Sequence, residues 1–71
     1  MSAESKTTYK ELGKTLKAHR EKAGLTQVEV AKKAGMDVNY YARIERGIGN
    51  PSYIKLRSIM KALKMKSLNV D

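Results

Sequence analysis

The chain has no cysteine, no tryptophan and no phenylalanine, and it holds one proline and one histidine. Without cysteine there is neither a disulfide nor a thiolate metal site. A lone histidine cannot complete a zinc site. There is no Gly-rich phosphate loop, no histidine paired with a second reactive group and no pair of acids at a plausible site, so no enzyme, cofactor or metal is expected. The absence of cysteine suits a reducing compartment. No apolar run approaches the roughly 18 residues of a membrane span. The first eight residues, Met1-Ser2-Ala3-Glu4-Ser5-Lys6-Thr7-Thr8, lack the apolar core of a signal peptide. Residues 1–8 are expected to form a disordered arm and residues 9–71 a single domain. The expected location is the cytoplasm, on the nucleoid if the source is prokaryotic.

What the chain has in excess is positive charge. Fifteen lysines and arginines stand against seven acids, a formal net charge of +8 on 71 residues. Such a surplus on a small body favours polyanions. It also serves plain solubility, since eleven of the fifteen are lysine, so the arrangement of the charges has to decide. The size adds a constraint. A chain this short buries only about 60% of its unfolded surface, and without staples it needs compact, local packing.

The spacing of apolar residues is helical, and no segment alternates like a half-buried strand. Tyr9, Leu12, Leu16 and Ala23 line one side of a first helix, about Tyr9 to Ala23, with His19 on the same side as a packed core residue; Gly24 ends it. "TQVE" is a capping box in which Thr26 and Glu29 open a second helix, Gln27 to Ala34, with Leu25 as a hydrophobic staple before it. Val30, Ala31 and Ala34 form its inner face and Gly35 its stop. After three residues Asp37 caps a third helix with Met36, Tyr41 and Ile44 inward and Gly47 as its end. "GIGNPS" is a loop, and Ser52 caps a fourth helix whose stripe is Tyr53 or Ile54, Leu56, Ile59, Met60 and Leu63. At most one turn of a fifth helix follows, where Met65, Leu68 and Val70 can close the core. Four to five short helices predict an all-α domain. The short glycine-containing joint between the second and third helices is the mark of a helix-turn-helix unit.

The segment from Leu12 to Met65, with "GLTQ", Ala31, Gly35, "RIERG" and "NPS" before a helix, resembles the phage repressor and Cro type of helix-turn-helix, the xenobiotic-response-element family. The likeness covers about three quarters of the chain. It implies a lambda-repressor-like DNA-binding fold in which residues 37–46 form a recognition helix lying in the major groove. In the family the second, third and seventh residues of that helix touch base edges; here they are Val38, Asn39 and Arg43. Their chemistry fits: asparagine pairs with adenine, arginine forks onto guanine and valine meets a thymine methyl. The resemblance also implies that Gln27 holds a backbone phosphate and braces the recognition helix, and that Arg20 and Glu45 form a structural ion pair. Further phosphate contacts are expected at Tyr40, Arg46, Asn50 with the backbone of the "GIGN" loop, Tyr53 and Lys55.

Three positions depart from the family pattern. His19 stands where leucine is frequent, Tyr41 where isoleucine or valine is usual, and Lys64 where a glycine usually ends the fourth helix, so that helix is expected to run on. The expected activity is sequence-specific binding of double-stranded DNA by a transcriptional regulator of repressor type. It would act as a weak or DNA-induced homodimer on an inverted repeat, through Leu63, Met65, Leu68 and Val70. A protein-interaction adaptor on the same fold, such as an antitoxin or a transcription bridging factor, is the alternative. The adaptor predicts weak DNA binding that ignores sequence.

Overall fold

The computed structural model describes residues 8–65. Four helices follow one another: α1 (Tyr9–Lys22), α2 (Gln27–Ala34), α3 (Val38–Glu45) and α4 (Tyr53–Ala62). Among the described residues there is no strand, and the fold is all-α as expected. Leu68 and Val70, with any fifth helix, lie outside the described residues.

Every helix begins on a side chain that accepts from its first turn. Thr26 Oγ1 accepts from the Glu29 amide at 3.1 Å, while the Thr26 amide donates to Glu29 Oε1 at 2.7 Å. Asp37 Oδ1 accepts from the Asn39 amide at 2.7 Å and Ser52 Oγ from the Lys55 amide at 3.2 Å. α1 has a second capping box that the boundary placed at Tyr9 overlooks. Thr8 Oγ1 accepts from the Glu11 amide and the Thr8 amide donates to Glu11 Oε1, both at 3.0 Å. Thr8 is therefore the N-cap of α1. Each such cap contributes about 1 kcal/mol, which matters for helices of 8 to 14 residues that are marginal alone.

The ends share one construction as well. In each, a left-handed residue donates to the carbonyl three residues back, and the next residue donates to the carbonyl five back. Gly24, Gly35 and Gly47 supply the left-handed residue for α1, α2 and α3, at φ of 74°, 73° and 80°. At α4 the same place is taken by Lys64, at φ 58°. Its amide donates to the Lys61 carbonyl at 3.1 Å and the Met65 amide to the Met60 carbonyl at 2.8 Å. The fourth helix thus stops at Ala62 and does not run on: lysine adopts the conformation that glycine would have taken without strain.

α2 packs against both α3 and α4, and α1 packs against α3. The core is Leu12, Leu16, Val30, Ala31, Tyr41, Ile44, Ile59 and Leu63. Burying an aliphatic side chain fully stabilises by about 1.5–3 kcal/mol, and Leu16, Val30, Ile44 and Ile59 are each almost completely enclosed. Several expected core residues lie elsewhere. Tyr9 is 50% exposed at the start of α1, and Ala23 is exposed just past its last turn. Tyr53 and Ile54 are 73% and 74% exposed, because no other element covers the first turn of α4; its inner stripe starts at Leu56. His19 is half-buried and not fully enclosed.

Gly13 answers to tertiary packing alone. It sits in the middle of α1, where glycine weakens a helix by about 0.5–1 kcal/mol relative to alanine. A Cβ there would overlap the carbonyl oxygens of Ile44 and Glu45. The missing side chain lets α1 lie directly against the last turn of α3, and so fixes where α3 is held.

Candidate nucleic-acid interface

α3 divides into three sides. Tyr41, Ile44 and Glu45 are buried. Tyr40 is half-buried, its ring resting on the core from the flank. Asn39, Arg43 and Arg46, spaced i, i+4 and i+7, are exposed on a single stripe with the half-buried Ala42 among them. The outward placement of Asn39 and Arg43 matches the expectation. Val38 does not match it. It stands three and seven residues before Tyr41 and Glu45, on the inward side, and is half-buried against the core. The tyrosine pair splits as expected, with Tyr41 fully enclosed and Tyr40 partly open.

The inner side carries a polar network at its C-terminal end. Arg20 Nε donates to Glu45 Oε2 at 2.7 Å and Arg20 Nη2 to Glu45 Oε1 at 3.2 Å, the bidentate arrangement that suits a guanidinium. Arg20 Nη1 donates to the Leu25 carbonyl at 2.9 Å. Gln27 Nε2 donates to Glu45 Oε1 at 2.9 Å. Two segments thus converge on one carboxylate, α1 through Arg20 and the start of α2 through Gln27, while the α1–α2 joint holds the guanidinium from its other side. The expected pair is present, and the bracing role of Gln27 is visible as a direct bond to α3. Burial alone would raise the Glu45 carboxyl, but the hydrogen bonds from Arg20 and Gln27 and the Arg20 charge outweigh it and hold the carboxyl below its ordinary range. The hydrogen bond to Glu45 raises Arg20 in turn. The Tyr41 hydroxyl lies beside this network, sealed from solvent, yet it has no partner at hydrogen-bonding distance. Burial first, and the Glu45 charge next to it, push its ionisation up, so it stays a neutral phenol.

The loop after α3 folds back on the helix. The amides of Ile48 and Gly49 both donate to the Arg43 carbonyl at 3.1 Å, and the Gly47 amide donates to Ile44 at 3.0 Å. Three of the loop's N–H groups are thereby occupied. The expectation that the backbone of this loop offers them to a phosphate narrows to Asn50, whose side chain and amide remain. Sequence reasoning missed one partner of that residue. The Tyr9 hydroxyl donates to Asn50 Oδ1 at 2.7 Å across 41 positions of chain, a pairing with no local signature. Beyond the loop, Tyr53 and Lys55 are exposed at the start of α4, with the Arg57 guanidinium 5.9 Å from the centre of the Tyr53 ring.

One part of the expected dimer surface is unavailable. Leu63 is 7% exposed and belongs to the core, because it follows Ile59 by four residues and so continues the inner stripe of α4. Met65 is half-buried against the same cluster. Among the described residues no helix is long and apolar enough to cross a membrane.

A short second helix, a three-residue glycine turn and a third helix with a polar outer stripe define a helix-turn-helix domain of the repressor and Cro type. A helix-turn-helix family profile matches residues 16–70, and the chain belongs to that family. It is 42% identical over 52 residues to an immunity repressor protein of Bacillus phage phi105. That stretch is 73% of this chain but 36% of the repressor, so the chain spans about a third of that relative's length. Among solved structures, it is similar to the restriction-modification controller protein C.AhdI from Aeromonas hydrophila, with a TM-score of 0.80 and 29% identity over 82% of this chain and 88% of that one. It is also similar to the restriction-modification controller protein C.Esp1396I, with a TM-score of 0.79 and 30% identity over 84% of this chain and 79% of that one.

Proposed function

We propose that the chain is a sequence-specific, double-stranded-DNA-binding transcriptional regulator of repressor type, with α3 in the major groove. One observation carries this reading: α3 is held entirely by its inner side, and the stripe left over is Asn39, Arg43 and Arg46. Among the described residues the sole ion pair is Arg20–Glu45, so neither arginine of that stripe is neutralised by an acid. Asn39 and Arg43 read base edges, and the exposed part of Val38 meets a thymine methyl. Arg46, Asn50, Tyr53 and Lys55 contact the phosphate backbone, with Tyr40 from the flank. Gln27 adds the free amides at the start of α2, where the helix dipole favours an anion. One N–H of its side chain is already committed to Glu45. The immunity repressor and controller relatives support a regulator, and the net charge of +8 supports a polyanion as partner.

A domain with so few base contacts gains affinity by binding as a pair to an inverted repeat, with half-sites about one helical turn apart. With Leu63 in the core, the pairing falls to Met65 and to Leu68 and Val70, and it forms on DNA.

Selection from a random duplex pool with purified protein tests the proposal, and enrichment of an inverted repeat is the expected result. Asn39→Ala and Arg43→Ala should each cost about 1–3 kcal/mol of preference for the selected site and leave binding to unrelated duplex largely intact. Binding of the wild type should weaken steeply with salt as counterions are released. Equal losses on selected and unrelated DNA would sink the base-reading assignment, and a flat salt response would favour the adaptor.

A further inference from the structure

The loop after α3 holds one side chain whose orientation is set from outside the loop. With the amides of Gly47, Ile48 and Gly49 turned inward to carbonyls of α3, Asn50 is the first residue of the loop that keeps donors free of such bonds. A free asparagine amide on a surface loop rotates, and it presents oxygen to a phosphate as readily as nitrogen. Only nitrogen can donate to that anion. In the structure the Tyr9 hydroxyl donates to Oδ1, and in that arrangement Nδ2 is the atom pointing elsewhere.

Tyr9 is in a position to do this because its own base is rigid. It is the first residue of α1, directly behind the Thr8–Glu11 capping box. One residue on, α1 touches the loop so closely that a Cβ on Gly47 would fall 2.7 Å from the Lys10 Cα. One turn on, Gly13 seats α1 against the end of α3. The hydroxyl therefore stands in a fixed relation to the loop and the recognition helix. Tyr9 is 50% exposed and its bond lies in solvent. A bond that exchanges freely with water adds little to stability, and its effect lies in orientation.

We propose that Tyr9 is a positioning residue for DNA-backbone binding: its hydroxyl holds Asn50 Oδ1 so that Nδ2 faces a phosphate. This rests on the functional reading above. The experiment is a double-mutant cycle on the full chain with Tyr9→Phe, Asn50→Ala and both together, measured on the selected duplex and on a mixed-sequence duplex. Tyr9→Phe keeps the ring and should weaken binding about two- to ten-fold, the worth of one hydrogen bond, by the same factor on both duplexes. In the Asn50→Ala background the same change should have no effect. The salt slope should stay at its wild-type value in all variants, because a neutral amide releases no counterion.

Tyr9→Phe binding as tightly as wild type, or a loss that persists undiminished beside Asn50→Ala, overturns the inference. So does a salt slope lowered by about one, which marks a lost lysine contact instead. If Asn50→Ala itself binds like wild type while Asn39→Ala and Arg43→Ala still lose site preference, the inference falls and the base-reading proposal stands. A wild type that binds neither duplex removes the proposal itself.

Discussion

The junction of α1 with α3 and the end of α4 each break the same local rule, in opposite directions. At the junction, glycine stands inside a helix at Gly13, where a side chain would favour helix. At the end of α4, Lys64 stands at φ 58°, where glycine would favour the turn. The first departure is enforced by contact, since a Cβ would meet the carbonyls of Ile44 and Glu45. The second is only tolerated, since Lys64 is exposed and its cost is confined to its own backbone. The difference separates what positions the recognition helix from what merely closes the fold. Around α3 the chain accepts a weak helix residue and a buried charge to set a position. Around α4 it leaves the first turn uncovered and the last turn strained.

The largest effect should come from the junction's charge. Glu45→Ala removes the acceptor of three hydrogen bonds and leaves Arg20, 12% exposed at its side chain, without its anion. Breaking a buried pair from one side costs about 3–5 kcal/mol. Some water reaches the guanidinium, so a loss of about 3 kcal/mol in urea unfolding is expected. The pH dependence has a definite sign. A carboxyl held below its ordinary value of 4.5 contributes stability that is full above that value and is lost as pH falls through the lower, folded value. Wild-type stability should therefore drop on acidification below about pH 4.5, and the drop should be shallower in Glu45→Gln. Equal acid slopes would detach Glu45 from the stability of the junction.

Gly13→Ala should follow in size. Alanine gains up to about 1 kcal/mol of helix propensity, yet its methyl meets backbone oxygens that cannot rotate away. Overpacking of this kind costs about 1–3 kcal/mol and occasionally more, so a net loss of about 2 kcal/mol is expected in thermal or urea unfolding. A neutral or stabilised Gly13→Ala would show that α1 can lift from α3 at no cost, and that the junction does not set the position of the recognition helix.

These two sites also show which features a sequence displays and which it hides. Local chemistry is on display: Thr26 with Glu29, Asp37, Ser52, and the glycines at 24, 35 and 47 each mark a helix end whose bonds the structure contains. Helical spacing likewise exposes Leu12, Leu16, Val30, Tyr41, Ile44 and Ile59 as core. Thr8 is equally readable, since Thr8-x-x-Glu11 repeats the pattern of Thr26-x-x-Glu29, although it adjoins a polar stretch of sequence that masks the signal. What stays hidden depends on a partner distant in the chain. Nothing near Gly13 announces the carbonyls of Ile44 and Glu45, and nothing near Tyr9 announces Asn50. The stripe of α4 has the same defect: spacing groups Tyr53 with Leu56, but only the reach of α2 decides which of them is covered. The Arg20–Glu45 pair was expected from family likeness, not from spacing. Its further link to Gln27 turns a pair into a network joining α1 and α2 to α3.

The end of α4 offers the smallest effect and the opposite sign. An L-residue in the left-handed region costs about 1–2 kcal/mol, while glycine gives back about 0.4–1 kcal/mol through the freedom of its unfolded chain. Lys64→Gly should thus raise stability by about 0.5–1 kcal/mol. Lys64→Ala, which keeps the Cβ and drops the charge, should change it little. The strained turn persists because of what it delivers: Met65 turns back onto the core beside Leu63, bonded to the Met60 carbonyl. A helix continuing through Lys64 would carry Met65 round to another side. If Lys64→Gly and Lys64→Ala stabilise equally, the lysine charge on a chain of net charge +8, and not the backbone, is what strains this end. If neither does, Lys64 sits in its turn without cost, and the contrast with Gly13 reduces to packing alone.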